Sequence, residues 1–149
     1  MSTAIHRRVE SCRAARDPTA VCRVASGWVV LGDAQFVRGY CLLLPDPVVA
    51  HLNALEQAPR AAFLRDMAVL GDALLALTDA VRINYEILGN VDPALHAHVV
   101  PRYSYEPETL RTRPVWFYDW AAAPRFDAAR DGALLAALRA ELGQRGAAV

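Results

Sequence analysis

Between residues 59 and 102 the chain changes its apolar period twice, and this limits what it can fold into. Phe63, Met67, Leu70, Leu74 and Leu77 recur at intervals of four, three, four and three, which draws one apolar stripe down a long helix with Pro59 in its first turn. "AVRINYEIL" then alternates, with Val81, Ile83, Tyr85 and Ile87 on one face and Arg82, Asn84 and Glu86 on the other, so a strand follows. "GNVDP" breaks that strand. "LHAHVVPR" supplies another after a connection of about six residues, which predicts an antiparallel hairpin.

A helix and a hairpin need further strands to enclose a core. "TAVCRVASGWVVLGD" reads as two short strands around Ser26 and Gly27, and "GYCLLLP", closed by "PDP", as a central strand covered on both faces. Residues 3–16 form a short charged helix that ends before Pro18. Beyond Arg102, "YSYEPETLRTRPVWFYDWAAAPRF" is rich in proline and aromatic residues and reads as an irregular arm packed on the body. "DAARDGALLAALRAELGQR" closes the chain as a helix, with Asp127 as its cap and Leu134, Leu135, Leu138 and Leu142 on its apolar side. The class is α+β: an antiparallel sheet of about five strands, one long helix and a C-terminal helix. With no repeat, low-complexity tract or linker, residues 1–149 are expected to make a single domain.

Charge and composition exclude several roles. Lys plus Arg (16) equals Asp plus Glu (16), so no overall positive field holds nucleic acid or an anionic membrane, and any anionic ligand must be recognised locally. The hydrophobic fraction of 54% is high, yet no apolar run is long enough to span a bilayer, so the surplus points to a large core and a subunit interface. The N-terminal segment lacks the continuous apolar stretch of a secretory signal, which makes the cytoplasm the expected compartment. Cys12, Cys22 and Cys41 are odd in number and contain no C-x-x-C, so they are expected as buried or half-buried thiols.

The chemistry concentrates in "NVDPALHAHVVPRY", which holds two of the four histidines. On a strand, His96 and His98 project to one face while Leu95, Ala97 and Val99 enter the core. A neutral imidazole there can attack phosphorus and form a covalent phosphoramidate, and its neighbour can bind a phosphoryl oxygen or deliver a proton. Two other readings stand beside this one. The pair can ligate a metal, given a third ligand for which Asp92 is the nearest carboxylate, or it can be a chance pair on a solvated strand face. Arg102, the last residue on the histidine face, can reach a phosphate or close an ion pair at the strand end. Trp116 and Trp120 can stack on a base or anchor the arm. Arg111 and Arg113 read as a solvated face rather than a phosphate clamp, and His6 and His51 as inert.

"GNVDPALHAHVVPRY", together with "RINYE" and the earlier "RGYCLLLP", resembles the histidine triad superfamily. The family signature is His-φ-His-φ-His-φ-φ, with φ apolar, often followed by Pro-Arg. Residues 95–102 are similar to its last part, and "GYCLLLP" resembles the family's Gly-His-x-Leu-Val-x-Pro strand. The resemblance covers residues 20–103; the arm and closing helix of residues 104–149 lie outside it. It implies a homodimer that acts at the α-phosphorus of a dinucleoside polyphosphate or nucleoside phosphoramidate. His96 corresponds to the nucleophile, His98 to the histidine that contacts phosphate and assists the leaving group, Asn90 and Asn84 to phosphate-facing amides, and Asp33 to the ribose ligand. It implies no resident metal or cofactor, with magnesium arriving on a polyphosphate substrate. Two positions depart from the pattern: Ala94 stands where the first triad histidine belongs, and Tyr40 replaces the histidine after glycine. The alternatives are a nucleotide-binding protein with little turnover and a metal-dependent enzyme using His96 and His98 as ligands.

Overall fold

The computed structural model describes residues 2–149. Helix α1 (Ala4–Arg13) leads into strands β1 (Ala20–Val24), β2 (Gly27–Leu31) and β3 (Cys41–Pro45). The long helix α2 (Gln57–Leu77) follows, then β4 (Arg82–Glu86), β5 (Ala97–Arg102), a short α3 (Glu108–Arg111) and the closing helix α4 (Ala128–Gln144). The strands form one antiparallel sheet in the order β1-β2-β3-β5-β4. This is the expected α+β arrangement. The connection between β4 and β5 is longer than the sequence suggested, spanning residues 87–96, because both strands end where their residues leave the sheet and form a loop around Asn90.

Both faces of the sheet are covered, and the alternation along each strand divides the core into two layers. On one face Val29, Leu31, Cys41, Leu43, Leu95, Ala97 and Val99 pack against Phe63, Leu70 and Leu74 of α2 and Leu134, Leu138 and Leu142 of α4. On the other, Val30, Leu42, Leu44, Tyr40, Ala94 and Val100 meet Ile5, Val9 and Cys12 of α1 and Val115 of the arm. Each fully buried aliphatic side chain contributes roughly 1.5–3 kcal/mol. Helix α1 is anchored at its start by a capping box in which Thr3 bonds the N–H of His6 and the His6 ring bonds back, so His6 has a structural task. Ile5 N–H also donates to Asp92, which ties the helix to the loop before β5. All three cysteines are free thiols; burial pushes Cys12 up to about 12 and Cys22 up to about 11, which keeps both protonated. Among the described residues, no helix is long and apolar enough to cross a membrane.

The arm is held by Arg102. Its Nε lies 3.0 Å from Oε1 of Glu106, and its Nη2 lies 3.0 Å from Oε2. Its remaining hydrogens go to Asn84 Oδ1 at 2.7 Å and to the carbonyls of Leu110 and Arg113. Glu106 in turn accepts from Tyr103 N–H at 2.7 Å and Tyr118 O–H at 2.7 Å. Burial alone would raise the Glu106 carboxyl, but these bonds outweigh it and hold the group below the ordinary carboxylate range. Both partners are nearly inaccessible, with side chains 8% and 3% exposed, so removing one charge strands the other. We therefore expect Glu106→Gln to lower stability by about 3 kcal/mol in urea unfolding, and to make residues 107–120 cleavable by trypsin under native conditions. An unchanged midpoint with an intact arm would refute this role.

Candidate functional site

The approach of the chain to β5 places the two histidines. Leu95 N–H donates to Val49 O at 2.8 Å, so Leu95 is drawn into the core and the next alternate positions fall on the opposite face. His96 and His98 emerge there with ring centroids 4.9 Å apart at 73°. They are not on a solvated face: each residue is only 8% exposed, because the arm lies over that side of the sheet. The reading of a chance pair facing solvent is therefore corrected. The indole of Trp116 meets His98 edge-on at 4.9 Å and stacks on Trp120 at 5.2 Å. Trp120 in turn packs on Phe36 at 4.3 Å. Of the two tryptophans expected to anchor the arm, Trp116 thus also walls the histidine site.

The hydrogen bonds assign the ring tautomers. His96 Nδ1 lies 2.7 Å from Ala94 O, and a carbonyl only accepts, so Nδ1 carries the hydrogen and the neutral ring leaves a lone pair on Nε2. His98 Nδ1 lies 2.6 Å from the Tyr40 hydroxyl. That phenol has no other hydrogen-bond partner among the described residues, and it is buried. Were Nδ1 the donor, the phenolic hydrogen would have no acceptor; Tyr40 therefore donates, and His98 carries its hydrogen on Nε2. Burial pulls His98 down to about 4, with the adjacent His96 contributing, so it is neutral at pH 7. Burial likewise raises Tyr40 and keeps its hydroxyl protonated. Gly32 makes room for that phenol ring: a Cβ there would lie 2.3 Å from Tyr40 Cδ1. The site thus presents Nε2 of His96 beside the Nε2–H of the neutral His98 ring.

A cavity of about 390 Å³ opens above the pair, lined by Leu88, Gly89, Asn90, Val91, Asp92, His96, His98 and Trp116. It is at the small end of the range for ligand pockets. Asn90, His96 and His98 are brought together as the sequence suggested. Three other predicted residues are not. Arg102 is the ion-pair partner of Glu106, with every guanidinium nitrogen engaged by protein, so the substrate-binding role is corrected to an architectural one. Asn84 is bonded to Arg102 and lines a separate groove with Arg82, Glu86, Arg111 and Arg113. Asp33 is paired with Arg8 at 3.1 Å beside α1 and does not line the histidine cavity.

Two residues at the site were not assigned from sequence. Glu86 accepts a hydrogen bond from the Trp116 indole N–H and stands opposite His98 in the sheet register. Its alternation with Asn84 was the available signal. Tyr40 stood at a motif position, but nothing in the sequence showed that its hydroxyl would reach His98. Among the described residues, no three His, Cys, Asp or Glu side chains are grouped to hold a metal; Asp92, the carboxylate named for that role, lines the same cavity as the two histidines.

The sequence matches no family model and no curated protein. Solved structures do match. A histidine triad protein from Marinobacter aquaeolei VT8 aligns with a TM-score of 0.76 at 19% identity, over 97% of this chain and 98% of that one. Another, from Bradyrhizobium japonicum, aligns at 0.72 with 23% identity, over 87% of this chain and 93% of its own. A hypothetical histidine triad nucleotide-binding protein from Sulfolobus tokodaii strain7 aligns at 0.71 with 12% identity, over 91% of each chain. The strand order, the crossing of α2 between β3 and β4 and the placement of His96 just before β5 and His98 within it occur within a chain that takes the histidine triad fold.

Proposed function

We propose that this protein binds a nucleotide derivative and cleaves it at the α-phosphorus through a covalent nucleotidyl intermediate on His96. The observation that carries this reading is the Nδ1–H bond from His96 to Ala94 O, which leaves Nε2 as the ring nitrogen free to meet a ligand in the cavity that His98 also lines. In this reading His96 attacks in line, and His98 Nε2–H and the Asn90 amide hold phosphoryl oxygens. Water then releases the nucleoside monophosphate. No resident metal or cofactor takes part, and magnesium arrives with a polyphosphate substrate. We place the protein in the cytoplasm as a homodimer; β4 is an edge strand of the sheet, with Tyr85 41% exposed, and offers its outer edge to a second copy. The likeness to the hypothetical histidine triad nucleotide-binding protein from Sulfolobus tokodaii strain7 supports the ligand class.

One observation favours binding with little turnover instead. Ala94 is 1% exposed and fills the place of the first imidazole with apolar packing, while Trp116 covers His98. The two readings separate in one assay of nucleoside monophosphate release from adenosine 5′-phosphoramidate and diadenosine tetraphosphate, with EDTA and with magnesium. We expect release by the wild type that falls at least about 10³-fold in His96→Ala, with acid-labile nucleotide trapped on the wild type alone. Nucleotide binding without product in any condition would replace this reading with the binding protein.

The neutral state of His98 has a consequence for folding. Its native pKa, about 4, lies below the ordinary histidine value, so between pH 6.5 and pH 4 the unfolded chain binds the proton that the native state refuses. Stability contributed by this group is complete above pH 6.5 and declines as pH falls, by about 3 kcal/mol at pH 4. Urea midpoints at pH 7 and pH 4.5 should therefore differ less in His98→Gln than in wild type. Equal pH sensitivity of the two proteins would show that His98 is not buried neutral.

A further inference from the structure

We propose that the cavity above the histidines holds the nucleoside as well as the phosphorus, and that Trp116 is the surface on which its planar base stacks. This rests on the reading of the ligand as a nucleotide and names the residue that selects its base. The packing of the sheet face leaves one direction for the rest of a ligand whose phosphorus meets His96. Toward β2 and β3 that face is filled, because Val30, Leu42 and Tyr40 lie beneath Ile5, Val9 and Cys12 of α1. Helix α1 is pinned there by Arg8, which bonds Asp33, Thr19 Oγ1 at 2.7 Å and Leu31 O at 2.8 Å. Toward the end of β5 the arm is locked by Arg102 and Glu106. The opening that remains lies between the loop of residues 87–96 and Trp116.

The walls of that opening are apolar. Val91 is 99% exposed, Leu88 40% and Trp116 39%, so three large apolar side chains from two separate segments meet in water around one cavity. Such a patch beside convergent polar groups marks a ligand site. Among the described residues no Lys or Arg lines it, and His98 is neutral, so charge contributes little to holding a phosphate here. Affinity has to come from apolar and aromatic contact with the rest of the ligand. The volume of about 390 Å³ suits one nucleoside and its phosphate rather than a dinucleotide.

Trp116 is built as a rigid platform. Its indole N–H is satisfied by Glu86, so the ring asks no hydrogen bond of a ligand. Trp120 backs it, nearly parallel at 9° with ring centroids 5.2 Å apart, and Phe36 supports Trp120 edge-on at 4.3 Å. His98 meets the same indole edge-on at 4.9 Å, which sets the ring beside the donor assigned to phosphate. A ring held by several neighbours loses little freedom when a ligand arrives, and its remaining exposed surface accepts a flat π system. A base joined to phosphorus through ribose supplies one, and stacking of this kind raises affinity roughly tenfold or more.

The test is calorimetry with AMP, GMP, UMP and ribose 5-phosphate, none of which turns over in the proposed reaction. We expect the best-bound nucleotide to exceed ribose 5-phosphate by at least tenfold in affinity, the difference to vanish in Trp116→Leu, and Trp116→Phe to keep most of it. Val91→Ser, at a loop position fully in water where no core packing is lost, should weaken the nucleotide about threefold and leave ribose 5-phosphate unchanged. Resistance of residues 107–120 to trypsin shows whether the arm stays in place in Trp116→Leu; if it is released, a Val91→Ser protein that binds like wild type overturns the proposal. Equal affinity of wild type for nucleotides and ribose 5-phosphate, no nucleotide binding at all, or a base preference that Trp116→Leu retains with its arm in place also overturns it. So does a loss confined to turnover of an aryl ester of AMP, which would put the leaving group on the ring. A base preference that depends on Trp116, in a protein that forms no nucleotidyl intermediate, keeps the stacking surface and removes the reading of His96 as nucleophile.

Discussion

Arg102 and Glu106 form the contact on which the geometry of the site depends. The arm has little regular structure of its own, only the four residues of α3 and one 3-10 turn, so backbone hydrogen bonding cannot specify where it lies. The guanidinium specifies it instead, by reading the carboxylate of Glu106 and the carbonyls of Leu110 and Arg113 from one fixed plane. A buried ion pair of this kind adds little net stability over a well-packed apolar pair. Its effect is on position: with Arg102 at the end of β5 and His98 four residues earlier on the same strand face, the arm is registered to the histidines, and Trp116 falls against His98.

That registration converts an ordinary sheet face into an enclosed one. A strand face open to water would leave both imidazoles free to choose tautomer and charge. Under the arm that freedom is reduced, because His98 is too buried to ionise near neutrality and each Nδ1 has a single partner, Ala94 O for one and Tyr40 O–H for the other. The acceptor at His96 and the donor at His98 are opposite in sense, so the two rings present opposite functions through Nε2. Tertiary packing thus determines the chemistry that each ring offers.

Much of the fold was legible because it rests on periodicity. The four-three stripe of α2, the alternation of β4 and the continuous apolar run of β3 each encode one kind of burial, and each element formed where its pattern lay. The shared face of His96 and His98 follows from the same rule. What failed was the assignment of polar residues whose partners are remote in sequence. Arg102 and Glu106 are close in sequence, yet the carbonyls that complete their network come from an arm without a pattern. Asp33 looked available because Arg8, its partner, sits twenty-five residues earlier on a helix whose docking site cannot be read from charge alone. Asn84 was placed on the correct face, but which cavity it lines depends on where the arm crosses that face.

The two missing imidazoles are best understood together. Ala94 belongs to the apolar layer with Val30, Leu42 and Val100, so no polar group stands behind His96 except the Ala94 carbonyl itself. Tyr40 replaces the other, and a phenol with its pKa raised by burial gives a hydrogen bond without taking up or releasing a proton near neutrality. Both replacements act in one direction: they preserve the orientation of the rings while removing groups that could move protons.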